Sequence, residues 1–591
     1  MSVNERIKNL RELMKEKGIT AYLIPTSDPH GSEYVAEYYK GRIWISGFTG
    51  SAGTVVITED EAILWTDGRY FIQAENELRG SEFKLYKMAT KGFPTYVEYL
   101  GEKLKAGDSL GFDGRLVNQA EVEKIEKVLV EGIKFIDEYD LVGEIWDTRP
   151  EQPVGDTFVH EVKYTGLTTS EKIQQVRDEM KKKNADYFLL SSLDDIAWLY
   201  NIRGSDIPSN PVVISYALVT LVSAFLFVDI KKINDNVRSF LSDNGVALAD
   251  YEEIGAYVKN FGENSKVLLD KSRVNRWIYN AIPSSCKIID EMNITTVLKG
   301  KKNKWEIENQ KSAYIKDGVA LTKFIYWLDK NVGKIEITEL SAEEKLLQFR
   351  KEQELFLEPS FSTIAAYKEN AAMMHYSASP SSFATLKAEG LFLVDSGGQY
   401  LDGTTDVTRT MVLGPITDEE KKDYTLTLKG HINLINARFL AGTNGHALDI
   451  LCRYPLWQEG LDYKCGTGHG IGFLLNVHEG PHRLANVPND VALEEGMIVT
   501  IEPGVYKAGK HGIRIENVVV VEKDIATDSG QFMKFNTLSF VPIDLEGVDS
   551  SMLSETEKSW LNNYHKEVFH KLSPYLNEEE KSWLEKETRE I

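Results

Sequence analysis

The chain of 591 residues is too long for one hydrophobic core, and the usual size of domains predicts three or four of them. Its 42 % hydrophobic and 27 % charged residues are typical of soluble globular proteins, and the net charge of -22 argues against a nucleic-acid partner, because an acidic protein repels phosphates. Three scattered cysteines form no disulfide framework, and the polar start MSVNERIKNL lacks the apolar core of a signal peptide, so a cytoplasmic location is expected.

The first helix and the first strand are evident from their hydrophobic patterns. Val3, Ile7, Leu10 and Met14 recur at helical spacing on one face, and Gly18 follows the last turn. The apolar segment AYLIP that comes next predicts a buried strand.

The same helix and strand pattern returns further along the chain. ERIKNLRELMKEKGITAYLI at 5–24 aligns without gaps on EKIQQVRDEMKKKNADYFLL at 171–190, and WISGFTGS at 44–51 matches WLYNIRGS at 198–205. Such self-similarity indicates two related α/β domains in tandem. The segment DTRPEQPVGD has the composition of a linker, so we predict domains at 1–153 and 154–301.

One long uncharged segment resembles a membrane span. Residues 212–228 (VVISYALVTLVSAFLFV) carry no charge over 17 residues, which is the lower limit for a transmembrane helix. The segment is rich in valine and contains four hydroxyl side chains. Two adjacent buried strands are therefore predicted, and no membrane partner is expected.

The third domain, predicted at 302–591, begins after the basic stretch KGKKNK. Its first segment shows a helical pattern, and its C-terminal tail opens with Ser554 and Glu557, which have the spacing of a capping box. This domain contains nearly all of the side chains that could perform chemistry.

Five of these side chains could hold metal ions. Asp395 ends the apolar run LFLV, and Asp406 begins a second run in which alternation places Asp406, Thr408 and Thr410 on one face. The intervening SGGQYLDG has the composition of a turn, so the two runs are predicted to form a hairpin, or adjacent bent strands, with the two aspartates close together. Like charges that close need a cation. The set is completed by His469 in GTGHGIG, by Glu502 after MIVTI, and by Glu516, expected inside the strand GIRIENVVVV with Arg514 on the same face.

Carboxylates with one imidazole suit a pair of divalent ions that share a water. Taken singly, each residue is more often a cap, a solvent-facing side chain or a packed histidine, so spacing alone leaves the set ambiguous. Two other motifs are rejected. HEGPH at 478–482 matches the zincin pattern, but Gly480 and Pro481 forbid the required helix. The glycines of GTGHGIG and GFTGSAG lack phosphate-loop spacing, so close backbone packing explains them better.

The motifs VDSGGQYLDGTTDVTRT, GTGHGIG, VHEGP, IEPGVY and GIRIENVVVV together resemble the pita-bread metallopeptidases. Within that superfamily the chain is similar to the three-domain cytosolic form of aminopeptidase P. The resemblance extends over the N-terminal GFTGSAGTVVITEDEAILWTDGRYF, the middle LDDIAWLYNIRGSDIPSNPV and the C-terminal WLNNYH. It implies two tandem creatinase-N-like α/β domains followed by a pita-bread catalytic domain, and hydrolysis of the N-terminal Xaa-Pro bond of peptides.

The resemblance also implies roles for individual residues. Asp395 would bind one metal with both oxygens, Asp406 and Glu516 would bridge two metals, and His469 and Glu502 would complete the second. The metals would make hydroxide from a bridging water, and Glu502 would shuttle its proton. Further roles are implied for other residues: His375 would assist at the scissile bond, His478 would donate to the oxyanion, and Arg514 would orient the bridging carboxylate. His482 would line the substrate pocket. Tyr506 and Arg69 would contact the substrate or, alternatively, have purely structural roles.

Several further properties follow from the resemblance alone. The family commonly uses Mn²⁺, while Co²⁺ and Zn²⁺ also suit these ligands. Small peptides with proline at position 2 are the expected partners, and a homodimer through the catalytic domain is expected. Two alternatives stay open: a prolidase, which shares the ligands but cleaves dipeptides, and a metal-free pseudoenzyme that binds peptides or proteins.

Overall fold

The computed structural model describes all residues from 1 to 591. The chain divides into two compact units. The first comprises Met1–Val162 with Leu167–Thr296, and the second comprises Lys163–Gly166 with Val297–Ile591. None of the helices combines the length and the apolar character that a bilayer span requires.

The first unit begins with a six-stranded sheet and its helices. The strands are β1 (Ala21–Pro25), β2 (Thr54–Thr58), β3 (Ala62–Thr66), β4 (Lys84–Lys87), β5 (Ser109–Gly111) and β6 (Lys134–Ile136). The helices are α1 (Val3–Lys17), α2 (Gly41–Ser46), α3 (Phe71–Glu77), α4 (Tyr96–Lys103), α5 (Gln119–Glu126) and α6 (Leu141–Ile145). The strand order is β4-β3-β2-β1-β5-β6, with β1 antiparallel to β2 and parallel to β5.

A second, similar set of elements follows, with two strands more than the first set. Its strands are β7 (Thr157–Val159), β8 (Tyr187–Leu190), β9 (Ile202–Gly204), β10 (Ser215–Thr220), β11 (Ala224–Val228), β12 (Val246–Ala249), β13 (Lys266–Leu269) and β14 (Lys287–Asp290). Its helices are α7 (Val162–Thr165), α8 (Thr169–Lys183), α9 (Leu193–Tyr200), α10 (Asp235–Asp243), α11 (Ile254–Lys259), α12 (Arg276–Ala281) and α13 (Ile294–Gly300). The sheet order β12-β11-β10-β8-β13-β14 repeats that of the first sheet, strand for strand.

The repeat read from the sequence is therefore a repeat of structure. Both α1 and α8 begin with a capping box, formed by Ser2 with Glu5 and by Thr168 with Glu171. Each helix is capped at its C-terminus by a residue in the left-handed conformation, Gly18 or Asn184. Each is followed in the chain by an inner strand of its sheet, β1 or β8. Burial of an apolar side chain in such a helix face stabilises the fold by about 1.5–3 kcal/mol. The uncharged segment forms the buried hairpin β10–β11, so the prediction of two adjacent strands is confirmed.

The second unit contains the remaining strands and helices. The strands are β15 (Phe356–Pro359), β16 (Ile364–Tyr367), β17 (Leu391–Ser396), β18 (Gly398–Tyr400), β19 (Gly403–Thr404), β20 (Val407–Val412), β21 (Arg438–Leu440), β22 (Gly468–Gly470), β23 (Glu479–Leu484), β24 (Ile498–Ile501), β25 (Gly504–Lys507), β26 (His511–Arg514), β27 (Asn517–Thr527) and β28 (Gly530–Thr537). The helices are α14 (Lys304–Asn331), α15 (Glu339–Lys351), α16 (Asp418–Ile435), α17 (Gly445–Trp457), α18 (Glu555–Leu572) and α19 (Glu578–Glu587). Short 3₁₀ turns lie in both units: Glu37–Tyr39, Ile230–Lys232 and Tyr251–Glu253 in the first, and Lys368–Ala372, Leu545–Gly547, Ser550–Met552 and Ser573–Tyr575 in the second.

Two sheets of this unit carry the candidate site. One has the order β16-β17-β20, and the other has the order β21-β28-β27-β24-β22-β23. Leu321 and Phe324 of α14 lie in one apolar cluster with Phe392 and Val394 of β17. The predicted capping box of the tail is present, because Ser554 and Glu557 cap α18 reciprocally.

The segment expected as a turn between the two aspartates folds as a second, shorter hairpin. The segment forms β18 and β19, and only its Leu401–Asp402 step is a turn. The side chains of Gln399 and Tyr400 are buried and hydrogen-bonded, to the carbonyl of Leu475 at 2.8 Å and to Asp317 at 3.0 Å. Long-range partners thus convert a glycine-rich segment into a hairpin.

Candidate metal centre

Two paired strands bring the first two carboxylates together. β17 and β20 run antiparallel with Asp395 opposite Thr408, and Asp406 directly precedes β20. Both aspartates are buried. The sequence prediction that these carboxylates lie on neighbouring strands agrees with this arrangement.

Three further residues come from the other sheet of the same unit. His469 lies in β22, Glu502 directly follows β24, and β24 pairs with both β22 and β27. Glu516 lies between β26 and β27 and not inside a continuous strand, which corrects the sequence prediction. The break has a physical reason: the chain leaves its pairing with β25 and joins β24, so the strand must change partner at Ile515 and Glu516.

The five side chains converge. Nε2 of His469 lies 3.2 Å from Oε1 of Glu502 and 3.6 Å from Oδ2 of Asp406. Ligand atoms of Asp406, His469 and Glu516 all lie within 4.8 Å of one another. This spacing suits coordination of a metal ion by several of these side chains.

Two oxygens of these carboxylates lack the partners that buried charges require. Oδ1 of Asp395 and Oε1 of Glu516 are buried without a hydrogen-bond partner. Burial and the charges of Glu516 and Asp395 raise the pKa of Asp406 well above its usual range. Burial and the charges of Glu502 and Asp395 likewise raise the pKa of Glu516. Divalent cations would satisfy these oxygens and remove the repulsion, so the residues present fit a metal centre.

Neighbouring side chains hold the carboxylates in place. The hydroxyl of Thr408 donates to Glu516 at 2.8 Å, and Arg514 donates to Oδ2 of Asp395 at 2.6 Å. Burial raises the pKa of Glu502, but the contact with His469 and the charge of Arg514 outweigh it and lower that pKa to about 2.

One such neighbour, Thr500, was not predicted from the sequence. Its hydroxyl donates to Oε1 of Glu502 at 3.0 Å and accepts from the backbone of His469 at 3.0 Å. Its position two residues before Glu502 in MIVTI could have identified it, because alternation puts both side chains on one strand face.

Two of the predicted histidines lie at β23: His478 directly precedes the strand, and His482 lies within it. The ring of His478 stands edge-on to that of His469, with centroids 4.3 Å apart. His482 is buried and donates from Nε2 to the carbonyl of Ile498 at 2.7 Å. Its ring packs against Gly470, where a Cβ would come within 2.9 Å. This packing supports β22, and a substrate contact of His482 stays a prediction.

The other predicted residues occupy three different places. His375 is half-buried and follows Met374, whose carbonyl accepts from Nη2 of Arg514 at 3.3 Å. Nη1 of Arg514 donates to the hydroxyl of Tyr506 at 2.6 Å. Arg69 belongs to the first unit, where it forms a two-point ion pair with Asp67. Substrate contacts of Tyr506 and Arg69 stay predictions.

The rejected motifs behave as predicted. Residues 479–484 of the HEGPH region form a strand and no helix. Gly468 packs so closely on the backbone of Thr500 that a Cβ would lie 1.9 Å from its carbonyl oxygen. Close packing therefore accounts for the glycines around His469.

Family models match nearly the whole chain. Residues 6–145 and 148–306 each match a creatinase/prolidase N-terminal domain. Residues 308–523 match metallopeptidase family M24, and residues 531–591 match the C-terminal region of peptidase M24. These matches confirm the predicted order of two related N-terminal domains followed by a metallopeptidase domain.

Curated proteins and a solved structure are similar over nearly the full length. The chain is 39 % identical to Xaa-Pro aminopeptidase 1 of Dictyostelium discoideum, covering 98 % of this chain and 94 % of that protein. It is 38 % identical to aminopeptidase P2 of Arabidopsis thaliana, covering 97 % and 86 %. The X-prolyl aminopeptidase of Caenorhabditis elegans, a cytosolic enzyme with a di-nuclear active site, matches with a TM-score of 0.95 at 36 % identity over 100 % of both chains. A prolidase of Thermococcus sibiricus, 22 % identical with a TM-score of 0.51, covers 64 % of this chain and 98 % of its own, and shows the fold alone.

Proposed function

The chain belongs to the Xaa-Pro aminopeptidases of metallopeptidase family M24, and we propose that it removes the N-terminal residue of peptides whose second residue is proline. The observation that carries this proposal is the convergence of Asp406, His469, Glu502 and Glu516, with Asp395 near enough for its charge to act on Asp406 and Glu516. The chain that holds them matches such enzymes over nearly its whole length. The enzyme is a metallo-exopeptidase that uses two divalent ions.

Each ligand has a proposed place. Asp406 and Glu516 would bridge the two ions, Asp395 would complete one, and His469 and Glu502 the other. When bound, the ions would supply positive charge and lower the pKa of an attacking water towards neutrality. We propose Mn²⁺ as the metal, with Co²⁺ and Zn²⁺ as alternatives that the same ligands accept.

The protein's own side chains would move the protons and hold the substrate. Glu502 would accept the proton of the attacking water and pass it on. His478, beside His469, would donate a hydrogen bond to the oxyanion of the tetrahedral intermediate. His375 would assist the departing proline nitrogen, which carries no hydrogen of its own in the substrate.

We also propose a homodimer in the cytoplasm. Ile450, Tyr454 and Trp457 lie at helical spacing on α17 and are 37 %, 57 % and 47 % exposed. A stripe of large apolar side chains on one helix face supports an interface between copies of the chain.

The proposal is tested by hydrolysis of X-Pro-Pro, X-Pro and X-Ala-Pro, each with Mn²⁺ and with chelator. Mn²⁺-dependent release of X from X-Pro-Pro, with little from X-Ala-Pro, would support it. Cleavage of X-Pro alone would make the protein a prolidase. Bound metal without cleavage would indicate another substrate, and neither metal nor cleavage would favour a binding protein.

A further inference from the structure

Two lysines at the start of the second unit are almost completely buried. Lys299, near the end of α13, has 2 % of its side chain exposed, and Lys302, just before α14, has 1 %. Both belong to the basic stretch KGKKNK, in which Lys304 is exposed. A buried ammonium group is costly unless a charge compensates it.

Both lysines meet the same carboxylate. Nζ of Lys302 hydrogen-bonds to Oε1 of Glu479, and Nζ of Lys299 lies 3.2 Å from Oε2. Glu479 has 1 % of its side chain exposed. The backbone of Lys302 is fixed as well, because its N–H donates to the carbonyl of Gly496 at 2.9 Å. We refer to Lys299, Lys302 and Glu479 as the lysine clamp; it carries two positive charges and one negative charge.

The clamp adjoins the candidate metal centre through the backbone. Glu479 is the first residue of β23, directly follows His478, and pairs in the sheet with Gly470, which adjoins His469. A Cβ at Gly300 would lie 2.8 Å from Cδ of Pro481, so the segment that carries the two lysines also packs closely on β23. The residues that follow His478 are thus held by the ion pairs of Glu479 with the two lysines and by the packing of Pro481 on Gly300.

We propose that Lys299 and Lys302 are positioning residues for His478. By fixing the side chain of Glu479, they hold the peptide that follows His478, and so set the edge-on geometry between His478 and His469. This inference rests on the proposed function, because it assigns the clamp to the orientation of a side chain that contacts the reacting carbonyl. Misplacement of such a group by about 1 Å lowers the rate on the order of 100-fold.

The charge balance decides which substitution tests the clamp. Removing one lysine leaves a neutral pair of one lysine with Glu479, which the interior tolerates better than an unpaired charge. Glu479→Gln would instead leave two buried ammonium groups without a carboxylate, so it is expected to destabilise the fold. Lys302→Met and Lys299→Met are therefore the informative variants, and Lys302→Arg restores the charge.

Lys301→Met is the matched control. Lys301 lies between the two buried lysines, has 36 % of its side chain exposed, and pairs with Glu494 at 2.6 Å. For Lys302→Met and Lys299→Met we expect two metal ions per chain, a KM for X-Pro-Pro close to that of the wild type, and a kcat lower by about 10- to 100-fold. Lys301→Met should keep the wild-type kcat, and Lys302→Arg should recover part of what Lys302→Met loses.

A crystal structure of metal-loaded Lys302→Met provides the readout that does not depend on activity. A displaced His478 ring with the ligands unmoved would support the proposal. An unmoved His478 together with a kcat equal to that of Lys301→Met in both methionine variants would overturn it. An inactive wild-type protein would refute the proposed function instead, and the position of His478 would still decide the question of the clamp.

Discussion

Arg514 donates a 2.6 Å hydrogen bond to Oδ2 of Asp395, while Oδ1 of the same carboxylate is buried without a hydrogen-bond partner. One oxygen is therefore held by the protein, and the other is left for a ligand. The expectation that Asp395 binds a metal through both oxygens stays a prediction, in which Oδ2 would be shared between the metal and Arg514. The arginine thus fixes which way the carboxylate points.

Replacing Arg514 should weaken metal binding. Arg514→Lys keeps the charge but loses the planar fork that reaches Asp395 and Tyr506 together. Loss of a side chain that orients a ligand typically costs about 10- to 100-fold in metal affinity, so we expect a decrease of this size. Competition with a fluorescent chelator measures it. Arg483→Lys, at an exposed arginine of the same unit, should bind metal as the wild type does, and equal affinities in both variants would contradict the role of Arg514.

Asp406→Asn should separate activity from stability. It removes a proposed bridge between two ions, and we expect kcat to fall by about 10³-fold or more, since loss of one transition-state donor alone costs about 10²–10³. In chelator the same substitution should raise the melting temperature, because Asp406 repels Glu516 and Asp395. Steady-state kinetics with metal analysis measure the loss of kcat, and thermal unfolding of the variant and the wild type in chelator measures the change in melting temperature. Wild-type turnover after metal reconstitution would remove Asp406 from the ligand set.

The stability of the metal-free protein should depend on pH. The pKa values of Asp406 and Glu516 are raised in the folded state, mainly by burial. The stability that these carboxyl groups contribute is present below their unfolded pKa of about 4 and is lost as pH rises through the folded pKa. The pKa of Glu502 is lowered to about 2 in the folded state. The stability that Glu502 contributes is therefore present above its unfolded pKa of about 4 and is lost only as the pH falls below that value.

This dependence is measured by thermal unfolding in chelator between pH 5 and pH 8. The melting temperature of Asp406→Asn should exceed that of the wild type by a margin that grows with pH, because one repelling charge has been removed. Saturating divalent ion should abolish the trend in the wild type. A margin that is constant over this range would show that Asp406 binds the same number of protons in the folded and unfolded states, and would contradict the raised pKa.

Local patterns predicted much of the first unit. The spacing of Ile7, Leu10 and Met14 and the cap at Gly18 predicted α1, because both signals lie within the helix itself. The tandem repeat predicted that the second sheet copies the first. The break at Glu516 was missed, since the run of valines that follows reads as one strand and the change of partner depends on β24, which is distant in sequence.

The candidate site was only partly predictable from the residues. Asp395 and Asp406 flank one short segment, so their proximity follows from local structure. The approach of His469 to Glu502 requires the pairing of β22 with β24, which no local pattern specifies. Only the family resemblance indicated that these two residues lie together. The burial of Lys302 could not be foreseen, because a basic stretch is typical of an exposed surface and its partner Glu479 lies far along the chain.

The exposed stripe on α17 should hold the dimer together. We expect the wild type to have the mass of a dimer in size-exclusion chromatography with light scattering, and Tyr454→Ser combined with Trp457→Ser to shift it to a monomer, because the apolar area lost drives association. Tyr575→Ser is the matched control, since Tyr575 is 62 % exposed in the same unit but lies outside the stripe. A dimeric double variant would place the interface elsewhere, and a monomeric wild type would refute the proposed dimer.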